Sequence, residues 1–291
     1  MKSFPPFACP VCKGSAFDDD LACVSCGHAV QVLDDVPVLV RDFEKLSDQI
    51  EEARQSDRTE WYSDSHDAAW KGPYRHHLQK RVNLVRDYLK TIISARSERP
   101  VLLDMGCGDG GNFFWLSQLG ADLYGSDYNL LRLGRARRRE MANGLALADI
   151  LDYPVADNSI DIVFFNHVLE HIPDDERALT EVYRILKKGG TCVLGVPNEG
   201  VFWWQLAYKL EPDSLRTTDH VHFYTAKALA KKIEAAGFRI EKTHHVGWGL
   251  PHWSLDCRVR GYKILDDLFE AVGRVILPTQ ASSLYFFLRK E

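Results

Sequence analysis

Four cysteines near the start of the chain stand as two pairs, Cys9-x2-Cys12 and Cys23-x2-Cys26, with ten residues between the pairs. Each pair can offer two thiolates to one tetrahedral ion, and a doubled pair at this spacing points to structural zinc. Gly14 and Gly27 follow the pairs closely, where a tight turn has to aim backbone amides at sulfur. Cys107, Cys192 and Cys257 are isolated and read as structural or incidental. Further along, VLLD runs into MGCGDGG and then an apolar stretch, which places a glycine-rich turn at a helix N-terminus. Such a turn lets backbone approach a small polar ligand. Asp104 ends the strand two residues before Gly106, with Gly108 and Gly110 beyond it. A carboxylate there repels a pyrophosphate but accepts a hydrogen bond from an ammonium group. Asp127 closes ADLYGSD, where a carboxylate can hold two ribose hydroxyls. Asp149 in LALADI suits the exocyclic amine of adenine, with Ile150 beside it as an amide or an apolar wall. Ammonium, ribose and adenine together describe S-adenosylmethionine (SAM). An NAD-dependent oxidoreductase fails on the placement of Asp104 and lacks a hydride-transfer constellation.

The elements that must position these groups are legible in the hydrophobic pattern. Residues 1–40 carry short β-like runs such as QVLDDVPVLV, broken by a turn at Asp34-Asp35, and read as a zinc ribbon. Residues 41–98 read as a helical linker and cap: from Phe43 to Asp67 the chain is polar, a solvated helix or linker, and then Leu78, Val82, Val85, Leu89 and Ile92 recur at helical spacing. From 99 to 291, strand-like and helical runs alternate, which means βαβ units and a parallel sheet, with insertions near 198–224 and 247–280. A chain of 291 residues, 45% apolar, can bury a sizeable core. A formal charge of −5 argues against a broad nucleic-acid footprint. No run approaches the roughly 20 apolar residues of a membrane span, and the start lacks the order of a signal peptide, so the expected location is cytoplasmic.

LLDMGCGDGG, GSDYN, LADI, FFNHVLEHI and RILKKGGTCVLGVPN resemble the successive motifs of class I SAM-dependent methyltransferases of the methyltransferase type 11-like kind, over about residues 99–291. That resemblance implies an α/β, Rossmann-like sheet of seven strands. It also implies that Asp104, Gly106, Gly108 and Gly110 line the methionine end, Asp127 and Tyr128 the ribose, and Asp149 and Ile150 the adenine. Asn166 and His167 would close over the sulfonium. The N-terminal run CPVC through CVSC, ending in DDVPVLV, resembles the Trm112-like zinc ribbon, which implies a structural or partner-binding metal.

Methyl transfer needs a general base only when the acceptor must lose a proton. His220 in DHVHFYT is the expected base and His222 the second candidate, because this class draws its acceptor pocket from that segment. Phe202, Trp203, Trp204, Trp248 and Trp253 are expected to form an aromatic lid over a large apolar or glycosidic acceptor. The helical run from Val259 to Ile276 interleaves apolar and basic residues and suits peripheral membrane contact. The expected substrate is therefore a small or lipid-linked metabolite. Two alternatives stand beside it: an RNA or translation-protein methyltransferase docking through its zinc ribbon, favoured by the basic stretch around Arg135–Arg139, and a non-catalytic SAM-binding scaffold.

Overall fold

The computed structural model describes residues 6–44, 71–216 and 219–291. Most of the polar stretch read as a linker, residues 45–70, lies outside the described residues. The strands are β1 Gln31–Leu33, β2 Val36–Leu39, β3 Val101–Met105, β4 Asp122–Asp127, β5 Gly144–Ala148, β6 Ile160–Asn166, β7 Leu186–Pro197, β8 Phe238–Val246 and β9 Ser283–Lys290. They form one sheet in the order β1-β2-β5-β4-β3-β6-β7-β9-β8. The run β2-β5-β4-β3-β6-β7 is parallel; β1, β9 and β8 pair antiparallel with their neighbours.

The sheet therefore has nine strands where seven were expected. The two extra strands come from the N-terminal segment, whose hairpin pairs with β5 through Val38↔Leu147 and Leu39↔Ala148. A bare β5 would leave a row of backbone donors and acceptors unpaired at the edge, and the hairpin caps it. Val36 and Leu39 are completely buried. Leu39 packs with Phe7, Cys9, Leu103 and Met105 on one face of the sheet, while Val36 and Val38 pack with Val82, Val85 and Leu102 on the other. Polar ties add to this: Lys13 Nζ donates to Asp152 at 2.8 Å, Arg41 pairs with the same carboxylate, and Arg137 pairs with Asp35 at 2.7 Å.

Helix α1, Arg75–Ser94, covers one face. Its buried stripe is His77, Val82, Val85, Leu89 and Ile93, so the expected Leu78 and Ile92 sit at its margins. Strand β3 lies at the switch point, with β4 on one side and β6 on the other. In open α/β sheets the crevice outside the carboxyl ends of the strands at such a point is where ligands bind. Among the described residues no helix is long and apolar enough to cross a membrane.

Because hairpin and sheet share one core, Leu39→Ala should cost about 2–5 kcal/mol, the range for deleting a buried leucine side chain. Urea unfolding should show the loss in one transition, coincident by tryptophan fluorescence and far-UV circular dichroism. Two separated transitions would mean that the N-terminal segment unfolds independently.

Candidate active site

The loop after β3 is shaped by three glycines, Gly106, Gly108 and Gly110, with φ of 76°, 52° and 70°. Only glycine holds such angles without strain. A Cβ on Gly106 would overlap Val168, one on Gly108 the Arg132 guanidinium, and one on Gly110 the Phe113 ring. Asp104 is buried at the end of β3, and its Oδ2 accepts no hydrogen bond. Burial, and then the charge of Asp127, push its carboxyl well above the usual carboxylate range. An orphaned buried acceptor costs about 1–3 kcal/mol, and a ligand ammonium placed there removes the penalty. The residues thus fit the methionine end of SAM.

Asp127 accepts the Gly108 amide at Oδ2 (2.8 Å) and the Asn129 amide at Oδ1 (2.9 Å). Those bonds fix its plane and leave lone pairs for ribose hydroxyls. Tyr128 is exposed beside it. Asp149 accepts the Leu151 amide at 2.8 Å, capping the short turn that carries half-buried Ile150. Asn166 is used as a brace: its Oδ1 accepts from the Tyr285 hydroxyl at 2.8 Å, and that hydroxyl accepts from Arg81 Nε at 2.9 Å.

A cavity of about 360 Å³ opens beyond β6 and β7. Helix α1 contributes His77 and Arg81, the strand ends His167, Pro197 and Glu199, and β9 Ser283. His167 has φ 54°, a conformation rare outside glycine, held where its Nδ1 lies 3.2 Å from Glu170 and its buried Nε2 has no hydrogen-bond partner. Burial, reinforced by Arg81, holds its pKa at about 4, so the ring is neutral. His220 Nδ1 meets Glu199 Oε2 at 2.6 Å, and Tyr208 donates to the other Glu199 oxygen. Burial opposes charge on His220, but the Glu199 hydrogen bond outweighs it and raises the pKa.

The structure separates the two histidines expected as bases. His220 faces the cavity, whereas His222 Nε2 sits 3.0 Å from the Ile172 carbonyl and 3.2 Å from that of Pro173, and its ring stacks on Tyr224. His222 is a structural tie. The aromatic lid is also smaller than expected. Trp204 and Trp253 line the cavity and contact each other at 5.8 Å. Trp203 and Trp248 instead donate to the carbonyls of Gly249 and Leu277 and brace the long excursion before β9, while Phe202 points outward, 71% exposed. Glu199, Tyr208, His77, Arg81 and Arg260 were not singled out from sequence. Glu199 had a readable signal, since it follows β7 as Asp104 ends β3. His77 and Arg81, four apart on α1, had a weaker one.

At the N-terminus Cys9 and Cys26 Sγ are 3.6 Å apart, and Cys12 and Cys23 Sγ are 3.5 Å apart, with no disulfide. Four sulfurs about 2.3 Å from a zinc ion lie roughly 3.8 Å from one another, so the cluster fits that ion. Gly14 serves by close approach, its missing Cβ falling 3.0 Å from Ser25 Oγ, while Lys13 takes the positive φ of 60°.

An α/β sheet with a glycine turn and a buried acid at its switch point is the frame of a Rossmann-like methyltransferase. A family model described as a methyltransferase domain matches residues 103–194. A Mycolicibacterium smegmatis protein named as a SAM-dependent methyltransferase is 26% identical over 172 residues, 59% of this chain and 65% of its own. A protein of Encephalitozoon cuniculi named as a methyltransferase is 37% identical over 154 residues, 48% of this chain and 70% of its own. The crystal structure of a SAM-dependent methyltransferase from Archaeoglobus fulgidus matches 72% of this chain and 94% of that one, with a TM-score of 0.50 at 18% identity. The chain spans 24% to 65% of the length of the first curated relatives it matches. This chain belongs to the SAM-dependent methyltransferases.

Two glycines should respond oppositely to alanine. Gly106→Ala, strained and overlapping Val168, should cost about 1–3 kcal/mol. Gly134→Ala, inside helix α2 (Leu130–Arg137) with nothing near its missing Cβ, should gain up to about 1 kcal/mol. Denaturant midpoints check both signs.

Proposed function

We propose that this protein transfers a methyl group from SAM to an oxygen or nitrogen of a small or lipid-linked metabolite such as a glycan, quinone or natural-product intermediate. One observation carries the reading: Val168 packs on Gly106 of the glycine loop, and His167, the residue before it, lines the cavity. Donor and acceptor sites share one turn of chain, so a reacting pair can be held about 3–3.5 Å apart. SAM, when bound, supplies a sulfonium methyl that leaves by direct displacement, its bonding electrons returning to sulfur as the acceptor–carbon bond forms. Asp104 holds the ammonium beside Gly106, Gly108 and Gly110; Asp127 and Tyr128 hold the ribose; Asp149 and Ile150 hold the adenine. His220, with Glu199 behind it, and His167 Nε2 are positioned to relieve the acceptor of its proton. Trp204 and Trp253 supply flat apolar walls. Arg260, buried on the same wall with an Nη2 that has no hydrogen-bond partner, suits an acidic or carbonyl oxygen of the acceptor.

Helix α3, Lys263–Ile276, exposes Ile264, Leu268, Val275 and Ile276, which suits a lipid tail or a membrane surface. The four N-terminal thiols hold a structural zinc ion, and residues 1–40, which resemble a Trm112-like ribbon, offer a surface for a protein partner. Three of the four arginines in the basic stretch that favoured RNA are engaged within the molecule. Arg137 pairs with Asp35, Arg139 donates to the Asp109 carbonyl at 2.6 Å, and Arg135 lies 3.8 Å from the Asp109 carboxylate.

Methyl-labelled SAM incubated with the protein and a cell extract should place label in the small-molecule or lipid fraction; label in RNA or protein would promote the macromolecular reading, and SAM binding without transfer the scaffold. Asp104→Ala and Asp127→Ala should each weaken SAM binding by about 1.5–3 kcal/mol, the range for a lost charged hydrogen bond. Isothermal titration checks this, and unchanged affinity in both would overturn the cofactor assignment. His220→Ala should lower turnover by about 10² or more with SAM affinity intact.

A further inference from the structure

We propose that Glu170, His171 and His220 form a second metal site, separate from the cysteine cluster, that takes a divalent transition-metal ion with an open position facing the acceptor cavity. Only the ion's task rests on the methyltransferase reading; the site itself rests on geometry. Glu170 is completely buried, and neither of its carboxylate oxygens makes a hydrogen bond. His167 Nδ1 approaches one of them at 3.2 Å. One ligand atom from each of Glu170, His171 and His220 lies within 4.8 Å of the others.

The two histidines are oriented alike by carboxylates outside the trio. His171 Nδ1 sits 2.7 Å from Asp219 Oδ1, and His220 Nδ1 sits 2.6 Å from Glu199 Oε2. A carboxylate hydrogen-bonded at Nδ1, as Glu199 is to His220, is the usual outer support of a metal-ligating imidazole. His171 Nε2 indeed turns toward Glu170, 3.9 Å from Oε1. Buried Glu170 lies within reach of both rings, and an ion held among the three would neutralise its charge.

The backbone holds the pieces together. The Glu170 carbonyl accepts the amides of Val221 (2.9 Å) and His222 (3.2 Å), which pins the segment carrying His220 against the turn carrying His171. An ion about 2.1 Å from each donor needs ligand separations of roughly 3–3.5 Å, so separations of up to 4.8 Å have to contract by as much as about 1.3–1.8 Å. Two imidazoles and one carboxylate suit zinc, iron(II), cobalt or manganese, and three protein ligands leave coordination positions open. His220 lies on the cavity wall, so an acceptor oxygen entering the cavity can complete the shell. With the ion bound, His220 would act as a ligand in place of acting as a base: the ion would polarise that oxygen, the O–H proton would pass to water, and the oxygen would take the methyl carbon as the sulfur–carbon bond breaks.

The test is zinc content after equilibrium dialysis of the full chain against Zn2+, read by elemental analysis. Wild type should retain one more equivalent than Glu170→Gln, His171→Ala or His220→Ala, and Cys12→Ser should lose a different equivalent while keeping this one. Three variants guard against a single folding failure, which circular dichroism would reveal. Equal zinc in wild type and all three variants, or loss of all zinc in Cys12→Ser, would overturn the site. SAM titration of the same samples separates the two readings: SAM binding with no second equivalent defeats this site alone, and a second equivalent without SAM binding defeats the methyltransferase reading alone.

Discussion

The ends of β3 and β6 come so close that Gly106 leaves no room for a methyl group against Val168. Pairing of the two strands, Leu102↔Ile162 through Asp104↔Phe164, sets that distance, because neighbouring strands stand about 4.8 Å apart. Everything at the site follows from it. The glycine loop is driven into left-handed backbone, Asp104 is sealed beneath it, and the turn after β6 is forced over so that His167 meets the cavity. Neither loop could be rebuilt without moving the other.

Buried charge divides the molecule into scaffold and site. Asp161 is paired with Arg96 and Lys187 and accepts the Val101 amide, and Asp175 is held by Lys232 and the Tyr224 hydroxyl. These carboxylates are satisfied and tie elements together. Asp104 and Glu170 are buried as deeply, yet Asp104 Oδ2 and both Glu170 oxygens lack hydrogen-bond partners. Folding tolerates such penalties where a ligand removes them, and both groups lie at the carboxyl ends of the central strands.

The N-terminal segment closes the sheet as well as gathering four thiols. Its hairpin occupies the edge beside β5, the strand that leads into Asp149, so the cysteine cluster and Asp149 are joined through one strand. Phe7 and Cys9 share a core with Leu103 and Met105, the strand that presents Asp104.

The local motifs were legible without coordinates: two CxxC pairs, a glycine turn after a strand, and acids at successive strand ends. Each depends on contacts within a few residues, or on an α/β alternation that a two- and 3.6-residue hydrophobic rhythm reports directly. The count of nine strands, the tie of His222 to Ile172, the bracing use of Trp203 and Trp248, and the joining of Glu170, His171, Glu199 and His220 were decided only by tertiary structure. The physical reason is sequence distance. Residues 20 to 50 positions apart meet because strands pair and backbone amides clamp one loop on another, and no residue type announces which of several histidines will lie on the wall of a cavity and which will turn away to a carbonyl.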